Sequence, residues 1–485
     1  MLHIQKIKNM QVLSQFDGYA LIAVFFTVMC AIVLFIRKRK QTKEEFLAAG
    51  HSAPWLLTAF SMAATWVWAP SMFTAAEKAY TQGFAGVFWF VVPNVLTMIL
   101  FAVFANKMRK LRPDGWTFSD YIREKYSKRA HNMYLVESFG LQICSLAVQL
   151  LAGATIFHKI TGLPFFTTTL ILALIPLLYS LTNGIRGSIT TDFVKMSFIA
   201  AVLLLGLPII TSNVGIDTLI TGLGGHTGEF GHLFDSTGIA VMLSFGLPTT
   251  IGLLSGTFGD QMFWQRVFSV EPTKVKRTMV SAAFIFAVVP VSLACFGFFI
   301  AGSGIEVADT QLVNVAAVIN FCPRWFLYLF FLMILAGLIS TVDSILCAVS
   351  SVAGHDIVER IKDKTGIENL DSIKVGRIAM MAVVLLAIGV ANIPGLTITY
   401  LFLFYGTLRS SVMLPTIFAI NGRKMTERGI YYGIMASILI GLPIFAIGNL
   451  NGNVPMIVAG SLLTIGLSGA ISRLLPQKPL ENIKR

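Results

Sequence analysis

Apolar runs of about twenty residues recur along this chain from Tyr19 to Ser472, and they limit what it can fold into. At 1.5 Å per residue, a helix of roughly 20 apolar residues crosses a hydrocarbon core of about 30 Å. Charged residues make up 13% of the chain, whereas ordinary soluble domains carry roughly 25%. The sequence therefore predicts an all-α polytopic membrane protein.

About thirteen of these runs are predicted to be transmembrane helices. The first is longer than the apolar part of a secretory signal and lacks a small-residue cleavage site, so we expect it to be retained as a span. The predicted spans are 19–36, 54–80, 86–106, 133–157, 164–182, 189–212, 237–263, 278–302, 325–352, 378–395, 397–420, 429–448 and 454–472.

Basic residues are distributed unequally between the loops. The net charge is +13, and most of the 37 Lys and Arg residues fall in alternate loops, with Arg266 counted among them. Loops 213–236 and 303–323 contain no Lys or Arg. The positive-inside rule then places the N-terminus outside and the C-terminus in the cytoplasm, in a plasma (inner) membrane. The basic excess thus indicates topology in a lipid bilayer and no nucleic-acid surface, and no obligate protein partner is evident.

Two spans contain helix-breaking residues at membrane depth. Span 2 carries Pro70, and span 7 reads SFGLPTTIGLLSGTFGDQMFWQR, in which Pro248 and four glycines make a continuous helix unfavourable. Broken helices five spans apart are typical of an inverted five-helix repeat, with solute and ion sites at the breaks. A proline kink and glycine-mediated packing is the alternative interpretation.

Span 9 contains AGLISTVDSILCAVSS, which places Gly337, Ser340, Thr341 and Ser344 on one helical face. Asp343 borders that face. Hydroxyl, carbonyl and carboxylate oxygens are hard ligands that suit an alkali cation. Hydroxyls bonded back to their own helix are the alternative, which is less common for three on one stripe.

Polar residues in two further spans each allow two interpretations. In span 6, Asp192 and Lys195 lie one turn apart, and a buried carboxylate is costly unless it is paired or coordinated. Lys195 either pairs with Asp192 or extends to the cytoplasmic surface. In span 4, Glu137 and Gln149 either pack between helices or line a pocket.

Four segments resemble the sodium:solute symporter family, whose members have the LeuT-type inverted-repeat fold. The segments are EEFLAAGHSAPWLLTAFSMAATW, GIRGSITTDFVK, GDQMFWQRVFSVEPTKVKR and AGLISTVDSILCAVSSVAGHDIV. The resemblance runs from about Tyr19 to Ile420. It implies one transporter domain over 1–485, with an extra N-terminal span (19–36), two five-helix repeats (54–212 and 237–420) and two C-terminal spans (429–472).

The resemblance also implies ion and solute sites. It implies a sodium site made by Ala63, Trp66, Gly337, Ser340 and Thr341. Some relatives hold a second cation beside the positions of Asp192, Asp343 and Ser344. Here Lys195 stands where the family often has Gln, which favours one coupled sodium and leaves two open. The solute pocket is expected near Thr65, Trp66, Trp68, Gln149, Phe258 and Asp260.

The sequence thus predicts sodium-coupled symport of a small organic solute by alternating access. The stretch ATWVWA looks like the urea-transporting branch, although indole-rich walls also suit cationic solutes. A sodium-independent facilitator or channel of the same fold and a proton-coupled symporter using Asp192 and Asp343 stay open. The short segment after Leu475 disfavours a sensor. Without a P-loop, Rossmann fingerprint or nucleophile elbow, an enzyme is not expected.

Overall fold

A computed structural model describes residues 12–36 and 41–475, apart from the side chains of residues 70 and 399. The basic residues at 37–40, which contribute to the predicted topology, lie outside the described residues. The helices are α1 (Gln15–Ile36), α2 (Lys43–Ala48), α3 (Trp55–Trp66), α4 (Ala69–Leu111), α5 (Phe118–Lys125), α6 (Lys128–Thr161), α7 (Phe165–Val214), α8 (Ile216–Thr221) and α9 (Ser236–Gly259). They continue with α10 (Gln261–Ser269), α11 (Val275–Gly302), α12 (Val313–Phe321), α13 (Arg324–Thr365), α14 (Ser372–Ala391), α15 (Ile398–Ile420), α16 (Glu427–Leu450) and α17 (Val454–Leu474).

Eleven helices in the described ranges are long and apolar enough to cross a membrane. Two of these segments, Ser71–Leu111 and Phe165–Val214, have 41 and 50 residues, about twice what one crossing needs. Each turns at a glycine with positive φ, at Gly83 (φ 53°, ψ −150°) and Gly184 (φ 55°, ψ −147°). The two turns account for the two additional spans that the sequence predicts.

Both predicted helix interruptions are present. Helix α3 ends at Trp66, and α4 begins at Ala69 after two non-helical residues. Helix α9 ends at Gly259, and α10 begins at Gln261 after the extended residue Asp260 (φ −100°, ψ 119°). Each break exposes backbone groups that would otherwise be bonded within a helix, and such groups are tolerated at membrane depth only inside the protein.

Helix α13 lies at the centre of the bundle. Of its most apolar stretch, 78% is buried, compared with 22% for α1 and α17. Helix α13 packs against α7, α6 and α14, and α4 packs along α11. The outer helices expose large apolar side chains such as Phe35 and Leu474, which suits contact with lipid. Polar side chains on α13 are therefore held in the protein interior.

The turn at Gly184 gives a test of the fold. A Cβ there would lie 2.2 Å from the carbonyl oxygen of Phe46, and its backbone conformation is nearly restricted to glycine. We predict that Gly184→Ala lowers the free energy of unfolding by roughly 1–3 kcal/mol or more, measured as a lower Tm in detergent. The control Gly389→Ala is helical with no heavy atom within 4 Å of its Cβ, and should keep or raise the Tm. A wild-type Tm for Gly184→Ala would contradict this prediction.

Candidate functional site

Two carboxylates and two basic side chains meet at the centre of the bundle, each at most 1% exposed. Asp192 and Lys195 lie on α7, Arg266 on α10 and Asp343 on α13. Lys195 Nζ lies 3.0 Å from Asp192 Oδ1 and also contacts Asp343 Oδ2. Arg266 Nη2 lies 3.0 Å from Asp192 Oδ2. We call these four residues the ionic core; their formal charges cancel.

Hydroxyl groups complete the hydrogen bonding of Asp192. Ser61 on α3 donates to Oδ2 and Ser340 on α13 donates to Oδ1, each at 2.6 Å. Ser61 Oγ also accepts from Arg266 Nε at 2.9 Å. With both oxygens bonded, the carboxylate has the partners that a buried charge needs, and α3 is tied to α7, α10 and α13.

Asp343 has its own set of donors. Tyr179 donates to Oδ2 at 2.6 Å, and Ser188 donates to Oδ1 at 3.0 Å. These two residues lie on opposite sides of the Gly184 turn in α7, so that turn lets one helix approach the carboxylate twice. Ser344 Oγ, one residue further along α13, accepts from Arg266 Nη2 at 2.6 Å.

The structure corrects the predicted place of Arg266 and decides between the two roles of Lys195. Arg266 was expected in an inward loop, and that prediction is wrong. Every residue of α10 is buried, because α10 starts directly after the break at Asp260 and continues through the interior. Lys195 pairs with Asp192 and does not extend to the surface. The residues expected around a second cation therefore come together, but with two basic side chains among them.

Residues of the predicted sodium site meet where α13 passes the break between α3 and α4. Thr341 Oγ1 donates to the carbonyl oxygen of Val67 at 3.2 Å. The carbonyl of Ala63 accepts from the Val67 amide at 3.0 Å. Gly337 faces α4, where a Cβ would lie 3.1 Å from a methionine sulfur. Trp66 and Thr341 line the same small cavity, so a residue from each of the two helices lies beside it.

That cavity has a volume of about 10 Å³, enough for about one water molecule. Four residues expected in the solute pocket line it: Thr65, Trp66, Trp68 and Gln149. Gln149 also accepts from the amide of Ala69 at 2.8 Å, which holds α6 against the first residue of α4. The other lining residues are Ser145, Met262, Phe263, Thr341, Tyr405 and Arg409.

The two remaining pocket candidates lie elsewhere. The ring of Phe258 packs edge-on against Phe101 and Phe104, with centroids 5.7 and 5.1 Å away, and it is not among the described residues that line the cavity. Asp260 is bonded to a residue of the cavity wall: Tyr405, which lines the cavity, donates to Asp260 Oδ2 at 3.2 Å.

Arg409 is a site residue that the sequence analysis missed. It lies on α15, is 2% exposed and donates through Nη1 to the Tyr405 hydroxyl at 3.1 Å. A Cβ on Gly256 would lie 2.7 Å from Nη1, so that glycine makes room for the guanidinium. The available signal was a single arginine inside the apolar run LFLFYGTLRSSVML, since ionisable residues at membrane depth are functional candidates by default.

A larger cavity of about 320 Å³ lies on the other side of Trp68. Trp68 lines both spaces, and its ring packs against Phe402 at a centroid distance of 4.4 Å. Glu77 and Lys78, near the end of predicted span 2, also line the larger cavity. We call this cavity the vestibule. The Trp68–Phe402 pair lies between it and the small cavity.

Comparison with known families identifies the fold and class. A model of the sodium:solute symporter family matches residues 46–437. Among solved structures, a Na⁺-coupled sialic acid symporter in an outward-open state aligns with a TM-score of 0.75 at 17% identity, covering 96% of this chain and 99% of that one. MhsT in complex with L-phenylalanine aligns with a TM-score of 0.53 at 12% identity, covering 87% and 98%. These likenesses confirm the predicted LeuT-type all-α fold.

Curated relatives are transporters, not enzymes. The urea-proton symporter DUR3 of Oryza sativa is 22% identical over 95% of this chain and 71% of its own length. The urea active transporter of Saccharomyces cerevisiae is 24% identical over 85% of this chain and 61% of its own length. The sodium/glucose cotransporter of Vibrio parahaemolyticus is 20% identical over 87% and 83%. The chain thus spans less than two thirds of the yeast transporter it matches.

The charge balance of the ionic core predicts that removing one charge strongly lowers the stability. Removing an opposite charge as well should recover much of that loss. Lys195→Met leaves Asp192 and Asp343 with only Arg266, which should cost roughly 3–5 kcal/mol, because one buried charge loses its partner. Adding Asp343→Asn restores neutrality and should recover much of the Tm. Thermal unfolding in detergent measures both variants. If the losses of stability from Lys195→Met and Asp343→Asn simply add in the double variant, the two residues are not electrostatically coupled.

Proposed function

Because this chain belongs to the sodium:solute symporter family, we propose that this multi-pass membrane protein carries urea or a similar small polar solute across the plasma (inner) membrane with one sodium ion. The N-terminus is outside and the C-terminus is in the cytoplasm in this proposal. Sodium binds to the carbonyls of Ala63 and Trp66 and to Gly337, Ser340 and Thr341.

One observation carries the proposal: two of the proposed ion residues, Trp66 and Thr341, line the same cavity as the proposed solute residues. Trp66 and Thr341 contribute to the wall that also contains Trp68, Gln149 and Arg409. A cation held between α3 and α13 fixes the end of α3 and therefore the position of Trp68, two residues further on. Occupancy of the ion site then favours the conformation that binds the solute, which is the coupling that symport needs.

The ionic core supports a single coupled ion. Lys195 and Arg266 already neutralise Asp192 and Asp343, at distances of 3.0 Å or less. A second sodium at these carboxylates would have to displace a side chain that is covalently part of the protein. The proposal therefore assigns the transported charge to the site between α3 and α13.

The cavity favours a small solute with a carbonyl group. Its volume of about 10 Å³ means that even a solute of a few heavy atoms enters only when side chains move. Trp68 Nε1 and Arg409 Nε are buried donors without a hydrogen-bond partner among the described residues, and a carbonyl oxygen would satisfy either one. The guanidinium of Arg409 disfavours a cationic solute, the alternative suggested by the indole-rich wall. Urea is also the solute in the names of the rice and yeast relatives.

The proposed transport cycle starts from the vestibule. The solute enters from the side of Glu77 and Lys78, passes the Trp68–Phe402 pair and reaches the small cavity. Closure over the vestibule and opening of the opposite side then release sodium and solute inside. One charge moving through 100 mV contributes roughly 2.3 kcal/mol to the inward step.

Uptake by purified protein in proteoliposomes tests the proposal. Radiolabelled urea, proline, a sugar, a sialic acid and a carboxylate are compared with and without an inward sodium gradient. We expect sodium-dependent accumulation of urea. Thr341→Ala should raise the sodium concentration for half-maximal uptake roughly tenfold, if the lost oxygen ligand contributes about 1.4 kcal/mol to sodium binding.

The matched control is Thr341→Ser, which keeps the hydroxyl and should keep the wild-type sodium dependence. Ser340→Ala should behave like Thr341→Ala. If both alanine variants retain the wild-type sodium dependence, the assigned ion site is wrong. If wild-type uptake is indifferent to sodium and only equilibrates the solute, the protein is a facilitator.

A further inference from the structure

A chain of hydrogen bonds joins the second helix break to the small cavity. Asp260, the extended residue between α9 and α10, is fully buried. The Tyr405 hydroxyl donates to Asp260 Oδ2 at 3.2 Å and accepts from Arg409 Nη1 at 3.1 Å. Tyr405 and Arg409 line the cavity, and Asp260 is one hydrogen bond away from its wall. A negative and a positive charge are therefore connected through a single hydroxyl.

The break also supplies the other partners of Asp260. Its Oδ1 accepts from the backbone amide of Met262 at 3.1 Å and from Gln142 Nε2 at 2.9 Å. Both carboxylate oxygens thus accept hydrogen bonds, which is the role of an ionised carboxylate. In an uninterrupted helix the Met262 amide would bond to a backbone carbonyl, so the interruption frees this amide for Asp260.

Two glycines in the last turns of α9 make room for Arg409. A Cβ on Gly256 would lie 2.7 Å from Arg409 Nη1, and a Cβ on Gly259 would lie 2.9 Å from Arg409 Cβ. The guanidinium carbon lies 4.2 Å from the ring centroid of Tyr405 and 5.9 Å from that of Trp68. The glycines and the two rings therefore hold the guanidinium at the cavity wall.

The charge of the cavity wall is balanced from behind. Among the described residues that line the cavity, Arg409 is the charged one, and the carboxylate of Asp260 offsets it. An anion beside Arg409 would add a second negative charge to a balanced pair, and a cation would meet the guanidinium directly. Either would leave a buried charge without compensation, which is costly. A neutral solute leaves the balance unchanged.

We propose that Asp260 and Arg409 form a charge filter, which makes the cavity select neutral solutes over anions and cations of the same shape. This inference rests on the proposed function, because it takes the small cavity as the solute site, and it adds the charge class of the solute. Arg409 is the specificity residue, since it lines the cavity. Asp260 acts through Tyr405 and Arg409 and is a positioning residue.

Three planar molecules of the same shape test the charge filter directly. Urea is neutral, nitrate is an anion and guanidinium is a cation. Each is added unlabelled, at millimolar concentrations, to proteoliposomes with equal, saturating sodium on both sides and no membrane potential. The concentration that halves the initial uptake of radiolabelled urea is measured. Wild type should need at least about tenfold more nitrate or guanidinium than urea.

Removing one charge should change this order of competitors in a direction set by the charge that remains. Asp260→Asn leaves the guanidinium unbalanced and should lower the nitrate concentration needed, relative to urea, at least about tenfold. Arg409→Gln leaves the carboxylate unbalanced and should do the same for guanidinium. Combining the two substitutions removes both charges and should restore the preference for urea. Arg409→Lys and the control Glu368→Gln, in an exposed loop, should keep the wild-type order.

The order of competitors separates charge selectivity from a folding defect, because it is a ratio measured within each variant. Tyr405→Phe keeps both charges but removes the bridging hydroxyl, so it should raise the KM for urea and keep the order. If Arg409→Gln is inactive, Asp260→Asn decides alone, since asparagine keeps the size of the side chain and an acceptor for the Met262 amide.

A wild-type order in Asp260→Asn would overturn the inference, and so would nitrate or guanidinium competing with wild type as well as urea does. Both results leave the proposed function intact, because wild type still accumulates urea under a sodium gradient. A wild type that does not transport urea under that gradient would instead refute the proposed function and, with it, the charge class assigned to the solute.

Discussion

The compensation of two buried carboxylates by Lys195 and Arg266 is the interaction on which the rest of this structure depends. An ion without a partner in a low-dielectric interior costs several kcal/mol, so α7, α10 and α13 must stay close enough to keep Asp192 and Asp343 paired. Ser61 bonds to Asp192 and Arg266 and adds α3 to this arrangement. The position of α3 in turn sets the break at which the proposed ion and solute residues meet.

A permanently neutral ionic core also changes how such a transporter uses charge. Lys195 and Arg266 supply two positive charges that stay with the protein during each cycle. These two charges therefore contribute nothing to the driving force. With the single coupled ion proposed above, the membrane potential contributes roughly 2.3 kcal/mol per 100 mV, in addition to the concentration gradient of the ion. That exceeds the 1.4 kcal/mol of a tenfold concentration ratio, so one cation suffices for useful accumulation of a neutral solute.

The sequence predicted the features that depend on local chemistry. Prolines and glycines revealed both helix breaks, and the spacing of Ser340, Thr341 and Ser344 identified the face of α13 that points inward. It did not predict the partners of Arg266, because those come from residues up to 205 positions away that only the packed bundle brings together. The sequence also placed a connection between spans 164–182 and 189–212, where Gly184 lies, but it did not predict the positive φ of that glycine, since a single glycine in an apolar run indicates a positive φ only when the neighbouring helix is known.

The charge carried per solute molecule tests the central claim most directly. In proteoliposomes with equal sodium and pH on both sides, a potassium gradient and valinomycin set the membrane potential, and the potential that stops net flux of radiolabelled urea down a tenfold gradient is measured. One coupled cation per urea predicts about 59 mV. A value of about 30 mV would mean that two charges move per solute and that the ionic core does not replace a second cation. Flux that no potential stops would contradict charge-coupled symport altogether.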